Sequence, residues 1–194
     1  KLPSGTELRI LAVHLKSKRP LFNEDENPDN MIDYAKAIAR SLRCRTAEAL
    51  ALRKIAIADL TTPTIIAGDL NDTPTSVTTT IILGPKPGSG LDGDRKLEIW
   101  RQHFKQVSDE FLRKSLMDVT YTHIHNGQYE NIDQIIVSDH FSRKNPQRFA
   151  KFAYLQLYND HLIDQSHGRL KLARYVSDHG QLVATFVEEN QNIR

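Results

Sequence analysis

The sequence predicts a mixed α/β (α+β) fold, because strand and helix patterns alternate along the chain. Mostly apolar runs of strand length lie at 8–15, 63–67, 132–138 and 182–187. A long helical pattern spans 33–60, between the first two of these runs. A helix in this place is a natural crossover between two parallel strands, either as one long helix or as two segments.

Four further segments complete the predicted organisation. Four glycines and two prolines at 84–93 predict a surface loop. An apolar stripe at 96–114 predicts a second helix. We expect another strand at 118–122 and an elaborated loop with short helical pieces at 141–174.

Length and composition indicate an ordinary globular domain. The 194 residues fit one domain, 1–194, and are enough to bury a core. The formal charge of +2 excludes a global basic field for nucleic acid. A single cysteine, Cys44, excludes an internal disulfide and a cysteine-rich metal site. No apolar run reaches membrane-spanning length.

The strongest chemical signal is the sequence Gly68-Asp69-Leu70-Asn71 at the end of an apolar run. Residues i and i+2 of an extended segment face the same side, so Asp69 and Asn71 would project together. Gly68 leaves room for a close neighbour. Two interpretations stay open at this point: a water-orienting acid beside an amide, or a strand followed by an Asx turn.

Histidine and acidic residues lie at or next to the ends of three other predicted strands. His14 ends the first strand, and Asp133 opens an apolar strand, where a buried acid needs a partner. Asp178 and His179 precede the last strand, and Asp133 could orient His179 and raise its pKa. Thr122 could donate its hydroxyl to a phosphate.

Two further features of the sequence are weaker signals of function. His123 and His125 have a spacing that can bind zinc, but no further ligand cluster is visible in the sequence, so a metal role is disfavoured. Lys16 follows the His14 strand and could meet a phosphate, although such a group is usually solvated.

The order of these motifs resembles the C-terminal part of the endonuclease/exonuclease/phosphatase superfamily. The motifs, which extend the resemblance over most of the chain, are Val-His-Leu-Lys-Ser, Gly-Asp-Leu-Asn-Asp, Ile-Asp-Gln-Ile-Ile-Val-Ser and Ser-Asp-His-Gly. The resemblance implies part of a DNase I-like, four-layered α/β/β/α sandwich with the active site at one end. It also implies phosphoester hydrolysis with a divalent metal, Mg²⁺ or Mn²⁺.

The resemblance further implies roles for individual residues. Asp69 would orient or deprotonate the attacking water, and Asn71 would steady the phosphoryl oxygens. His179, paired with Asp133, would bind the scissile phosphate. His14 would lie near the phosphate or the leaving group, and Asp178 is implied as a metal ligand.

The sequence departs from the family pattern in one respect. Members begin with a further sheet half that carries an Asn and a metal-binding Glu from a Gln-Glu motif, and we find neither here. We therefore expect an N-terminally truncated domain with weak or absent activity. Exposed sheet surface would favour a homodimer.

Several functional alternatives stay open. A nuclease-like bacterial phosphodiesterase, with a phosphate ester as substrate and nucleic acid as one candidate, is favoured over a sphingomyelinase-like or inositol phosphatase-type enzyme. A non-catalytic binding module of the same fold is the alternative from another class. Both a cytoplasmic and an exported location are compatible with the sequence.

Overall fold

The structure, a computed structural model, describes residues 5–112, 120–167 and 175–189. Its strands are Arg9–His14 (β1), Thr64–Asp69 (β2), Lys105–Gln106 (β3), His123–His125 (β4), Gln128–Glu130 (β5), Asp133–Val137 (β6), Ala150–Tyr158 (β7) and Gln181–Glu188 (β8). Its α-helices are Met31–Ile57 (α1), Val77–Leu83 (α2), Gly93–Gln102 (α3) and Val107–Leu112 (α4).

The main sheet has four strands in the order β1-β2-β6-β3. β1 and β2 are parallel, and the crossover between them contains α1. β6 runs antiparallel to β2 and lies inside the sheet, as its apolar sequence predicts. The N-terminal end of β6 therefore meets the C-terminal end of β2, which brings distant polar residues to one sheet edge.

The long helical pattern forms one helix rather than two segments. α1 begins after Asn30, whose side-chain oxygen accepts hydrogen bonds from the backbone N–H groups of Ile32 and Asp33. This cap satisfies donors that the first helical turn leaves without partners. Ala49 and Leu52 on α1 are buried.

Alternate residues of the central strands face two different layers. Ile66 and Ile136, which are 1% and 0% exposed, belong to a core with α1 and α2. The neighbouring Ile65 and Ile135 pack on the opposite side. The two-residue period of a strand explains why consecutive isoleucines reach different cores.

The second layer of β-structure is the antiparallel pair β7-β8. Phe152, Leu182 and Phe186 from this pair join the core that contains Ile65 and Ile135. The described residues thus build a helical layer, the main sheet and a second β layer. This arrangement agrees with the predicted α+β class and with part of a layered sandwich.

The predicted continuous helix over 96–114 is wrong. α3 ends at Gln102, and Lys105–Gln106 forms β3 on the edge of the main sheet before α4 begins. Pairing of Gln106 with Ile136 in β6 provides a tertiary contact that a helix could not make at this point. Residues 113–119 lie outside the described part of the chain.

Two other predicted segments also need correction. Residues 120–122 are not strand, and 118–119 lie outside the described residues. The segment predicted as an elaborated loop contains the nine-residue strand β7. Residues 168–174 of that segment are also outside the described part.

Among the described residues, no helix is both long enough and apolar enough to cross a membrane.

Candidate active site

Three residues of the predicted site lie side by side across the main sheet. In the register of the strands, His14 of β1 pairs with Asp69 of β2, and Asp69 pairs with Asp133 of β6. Paired residues on neighbouring strands share a face, so all three side chains project from the same side of one sheet end. The apolar strands therefore deliver an imidazole and two carboxylates to one place.

Gly68 allows close packing of β1 and β2, which carry His14 and Asp69 of the row His14, Asp69 and Asp133. Its φ of +143° lies in a region that L side chains rarely adopt. A Cβ at this position would lie 1.9 Å from the carbonyl oxygen of Val13 on β1. Only glycine lets β2 approach β1 here while Asp69 continues the strand.

Asn71 holds the carboxylate of Asp69 in a fixed orientation. The Asn71 backbone N–H donates to Asp69 Oδ1 at 2.7 Å, and its side-chain Nδ2 donates to Asp69 Oδ2 at 3.0 Å. Nδ2 also donates to the carbonyl of Leu15 at 2.9 Å. Asn71 adopts a left-handed φ of 51°, which asparagine tolerates better than most residues.

These bonds change the interpretation of Asn71. A carboxamide nitrogen has two N–H donors, and both are directed to Asp69 and Leu15. Asn71 in this conformation therefore positions Asp69. The predicted contact of its amide with phosphoryl oxygens stays a prediction, and it requires one of these bonds to open.

His14 lies at the solvent-facing end of the row. Its Nε2 is 3.5 Å from Asp69 Oδ2, and its side chain is 75% exposed, against 15% for Asp69. The exposed ring is free to meet a ligand, while the sheltered carboxylate stays in its hydrogen-bonded position.

His179 is brought to the same end from the segment before β8. Its Nδ1 lies 2.9 Å from Asp133 Oδ2. The hydrogen bond with Asp133 raises the pKa of His179. The predicted Asp133–His179 pair is therefore present as a direct contact, across 46 positions of sequence.

Contacts with the backbone fix the position of the His179 segment. His161 Nε2 lies 3.0 Å from the carbonyl oxygen of His179. The Gly180 N–H donates to the carbonyl of Thr122, and Asn159 Nδ2 donates to the carbonyl of Tyr121. Residues that follow β7 thus hold the imidazole against the sheet end.

Thr122 does not have the position expected of a phosphate donor. Its side chain is 0% exposed, and Oγ1 accepts hydrogen bonds from the backbone N–H groups of Ile132 and Asp133. In this conformation Thr122 fixes the start of β6 and with it the backbone of Asp133. The predicted contact of its hydroxyl with a phosphate stays a prediction, and it would require the residue to become exposed.

This positioning role gives a stability prediction. Thr122→Val keeps the shape of the side chain but leaves two N–H donors without an acceptor, so we expect the free energy of unfolding to fall by about 2 kcal/mol. Urea denaturation measures this loss. Thr46→Val is a matched control, because the Thr46 hydroxyl only donates to a carbonyl within α1 and should cost less. Equal losses in the two variants would contradict the assigned role.

Lys16 is also placed differently from the prediction. Its Nζ donates to the carbonyl and hydroxyl of Ser17, both at 3.1 Å, and to the carbonyl of Arg19 at 3.3 Å. The ammonium group therefore folds back on its own loop, and these contacts do not place it on the Asp69 row. A role in substrate binding would require Lys16 to leave them.

Asp178 belongs to a three-residue cluster that could hold a metal. Ligand atoms of His123, Asp178 and His179 all lie within 4.8 Å of one another. The His123 and His179 backbones form an antiparallel bridge, and their ring centroids are 5.0 Å apart. Burial lowers the pKa of His123. The disfavoured histidine of the His-x-His pair thus lies beside the site, whereas His125 is not part of the cluster.

Buried polar residues that sequence reasoning missed support the loop after Asp69. Arg45 on α1 donates to Asp72 at 3.1 Å and to the carbonyl of Lys16 at 3.2 Å, so it joins the loops that follow β1 and β2. Gln134 on β6 donates to the carbonyl of Asp72 at 2.6 Å and accepts from Gln106 at 2.7 Å. These contacts make the loop part of the packed domain.

The fold of this chain is similar to that of a known protein. A solved structure, "Crystal structure of humanized D. rerio TDP2 by 14 mutations", is similar with a TM-score of 0.53 and 21% sequence identity. The match covers 95% of this chain and 57% of that chain, and it shows the shared fold. No match was found among curated proteins.

The model of the "Endonuclease/Exonuclease/phosphatase family" matches residues 43–179, more than half of the sequence. The chain belongs to the endonuclease/exonuclease/phosphatase family.

Proposed function

We propose that this chain hydrolyses phosphate esters with the help of a divalent cation, and that its substrates are nuclease-type phosphodiesters. The observation that carries the proposal is the convergence of His14, Asp69, Asp133 and His179 at one sheet end. Phosphoryl transfer depends mainly on positioning and on stabilisation of charge, and this set of groups suits both tasks. Membership of the family supports phosphoester chemistry in general.

The donor groups fit a hard cation such as Mg²⁺ or Mn²⁺. Asp178 is exposed beside His179 and offers carboxylate oxygens, which these ions prefer. Mg²⁺ commonly binds to one or two carboxylates and keeps several waters. When bound, the cation would polarise phosphoryl oxygens and offset negative charge.

Asp69 is the group best suited to orient and deprotonate water. Its carboxylate is held by Asn71 but keeps a partly exposed face, with 15% of the side chain accessible. A general base needs a fixed position within hydrogen-bond reach of its water. His14 lies close enough to Asp69 to share a ligand or a proton near the leaving group.

His179 would contact the phosphate through Nε2. Because Nδ1 faces Asp133, the protonated ring directs its second N–H away from that carboxylate. Asp133 favours the charged imidazolium, which is the form that binds an anion. The pair therefore favours the form of His179 that carries positive charge.

This pair predicts a specific pH dependence. Asp133→Asn removes the interaction that raises the pKa of His179, so we expect that pKa to fall. As the pH is raised, His179 of the variant loses its charge at a lower pH than His179 of the wild type. Phosphate binding by the variant is therefore also lost at a lower pH. NMR titration of the His179 ring in EDTA, with and without inorganic phosphate, measures both effects. An unchanged or higher pKa in the variant would contradict the assigned pairing.

Activity assays would test the proposed reaction and its substrate class. A DNA oligonucleotide, sphingomyelin vesicles and an inositol polyphosphate would be offered in parallel, each with Mg²⁺, with Mn²⁺ and with EDTA. The proposal predicts cation-dependent cleavage, fastest for the oligonucleotide. Preference for the lipid or the inositol phosphate would replace the nuclease assignment, and phosphate binding without turnover would support a binding module.

The homodimer expected from the sequence stays a prediction. β1 is at the edge of the main sheet, and Ile10 on this strand is 63% exposed. An exposed apolar edge of this kind can pair with another strand.

A further inference from the structure

We propose that His123, Asp178 and His179 form a zinc-binding site, and that zinc bound there inhibits the hydrolytic site. Two imidazoles and one carboxylate are a ligand set used by catalytic zinc sites, with a fourth position left open. The ligand atoms lie within 4.8 Å of one another. Zn–N bonds of about 2.0–2.1 Å require ligand atoms about 3.4 Å apart, so a modest contraction would complete the site.

The available ring nitrogens support this assignment. His179 Nδ1 is engaged with Asp133, which leaves Nε2 as the metal-binding atom. A carboxylate on the other ring nitrogen orients a metal-binding histidine and increases its basicity. Asp133 already has this relation to His179.

His123 supplies the residue that distinguishes this site from a hard-cation site. Its Nδ1 is buried and has no hydrogen-bond partner in the described part of the chain. A buried polar atom without a partner costs free energy, and a metal bound at His123 Nδ1 would offset that cost. Imidazole nitrogen suits Zn²⁺, whereas Mg²⁺ prefers oxygen ligands.

The backbone holds His123 and His179 together before any metal arrives. β4 carries His123, and its backbone forms a bridge with His179. Asp178 is exposed, so its side chain can rotate to close the set at little cost in packing. The site is thus largely preformed, with one adjustable ligand.

Zinc would inhibit hydrolysis because it competes with the substrate phosphate for His179 Nε2. This part of the inference rests on the proposed function. His179 Nε2 would donate to the substrate phosphate during hydrolysis, but a zinc-bound Nε2 has no proton to donate. Zinc and a phosphate ester therefore exclude each other at this nitrogen.

Isothermal titration of the metal-free chain with Zn²⁺ alone tests the site without reference to activity. We expect one zinc per chain, and we expect His123→Asn to weaken binding by about 100-fold or more, since loss of outer-shell partners alone costs about 10–100-fold. His125→Asn is the matched control, because this neighbouring histidine is outside the cluster, and it should bind like the wild type. Asp178→Asn, a change at an exposed position, should also weaken zinc binding. This variant replaces His123→Asn as the test of the site if His123→Asn does not fold.

The results separate the site from its effect on hydrolysis. Wild-type affinity in the folded His123→Asn and Asp178→Asn variants, or an equal loss in His125→Asn, would overturn the site. If zinc binds as expected, its inhibition of hydrolysis should weaken in His123→Asn by a similar factor. Unaltered inhibition in that variant would overturn the competition, and a chain that binds zinc without hydrolysing any ester would contradict only the proposed function.

Discussion

Asp69→Asn is expected to lower kcat/KM for phosphodiester hydrolysis by about 10³-fold, the effect of losing a positioned general base. Asparagine keeps the size of the side chain and one oxygen for the Asn71 N–H. It cannot accept a proton from water. Steady-state kinetics with Mg²⁺ measures the loss.

The control for this variant is Asp29→Asn, which makes the same chemical change on the exposed loop before α1. Both variants should remain folded at the assay temperature, so that lost activity reflects lost chemistry. A folded Asp69→Asn variant within about threefold of wild-type kcat/KM would remove Asp69 from the proposed role, since a general base contributes about 10²–10⁴-fold.

Gly68→Ala is expected to reduce the free energy of unfolding by about 3–5 kcal/mol. The reduction combines an unfavourable backbone conformation with a steric clash. The added Cβ would lie 1.9 Å from the Val13 carbonyl oxygen, a backbone atom that cannot move without separating β1 from β2. Because Asp69 and His14 are paired across the same two strands, we also expect activity to fall.

Gly88→Ala is the matched control, because a Cβ at Gly88 would have no atom of the described residues within 4 Å. Urea denaturation of both variants gives the comparison. A Gly68→Ala variant as stable as Gly88→Ala would show that the two strands do not approach each other as described.

The row of site residues was the part of the structure most accessible from sequence. Asp69 and Asp133 border apolar strand runs, and the register of β2 with β6 brings them together. Hydrophobic periodicity predicts strands well because, along a strand, burial alternates with the same two-residue period as the direction of the side chains. The Asp133–His179 pairing and its raising effect on the pKa of His179 follow from the sequence, whereas the distance between the two side chains required the fold.

The proximity of His123 to Asp178 and His179 could not be predicted from sequence, because these residues are distant along the chain. The two other members of its cluster, Asp178 and His179, lie more than 50 positions further along the chain. The sequence does indicate the local structure around His123, because Asn126 and Gly127 are an Asn-Gly pair. Both residues have positive φ and form the turn between β4 and β5. An Asn-Gly pair between short polar–apolar alternations is a strong hairpin signal.

β7 was missed for a different reason. A register shift lies between Phe152 and Tyr154, so the alternation of buried and exposed residues is interrupted in the middle of the strand. A bulge moves later residues to the opposite face and hides the two-residue period. The regular alternation from Tyr154 to Tyr158 could have identified the second half.

The buried polar contacts could not be read from sequence. Arg45, Gln134 and Thr122 have no local pattern that separates them from surface residues, and polar residues of these kinds are mostly exposed. Their roles follow from tertiary contacts with the loops that follow β1 and β2 and with the start of β6.

The most direct test compares hydrolysis by the wild type with hydrolysis by an Asp69→Asn/His179→Gln double variant, on a DNA oligonucleotide with Mg²⁺ or Mn²⁺ and with EDTA. Even a slow wild-type rate is sufficient, because the test is a ratio between two folded proteins. We expect cation-dependent cleavage by the wild type and only background cleavage by the double variant. Equal cation-dependent cleavage by both folded proteins would contradict the roles proposed for Asp69 and His179.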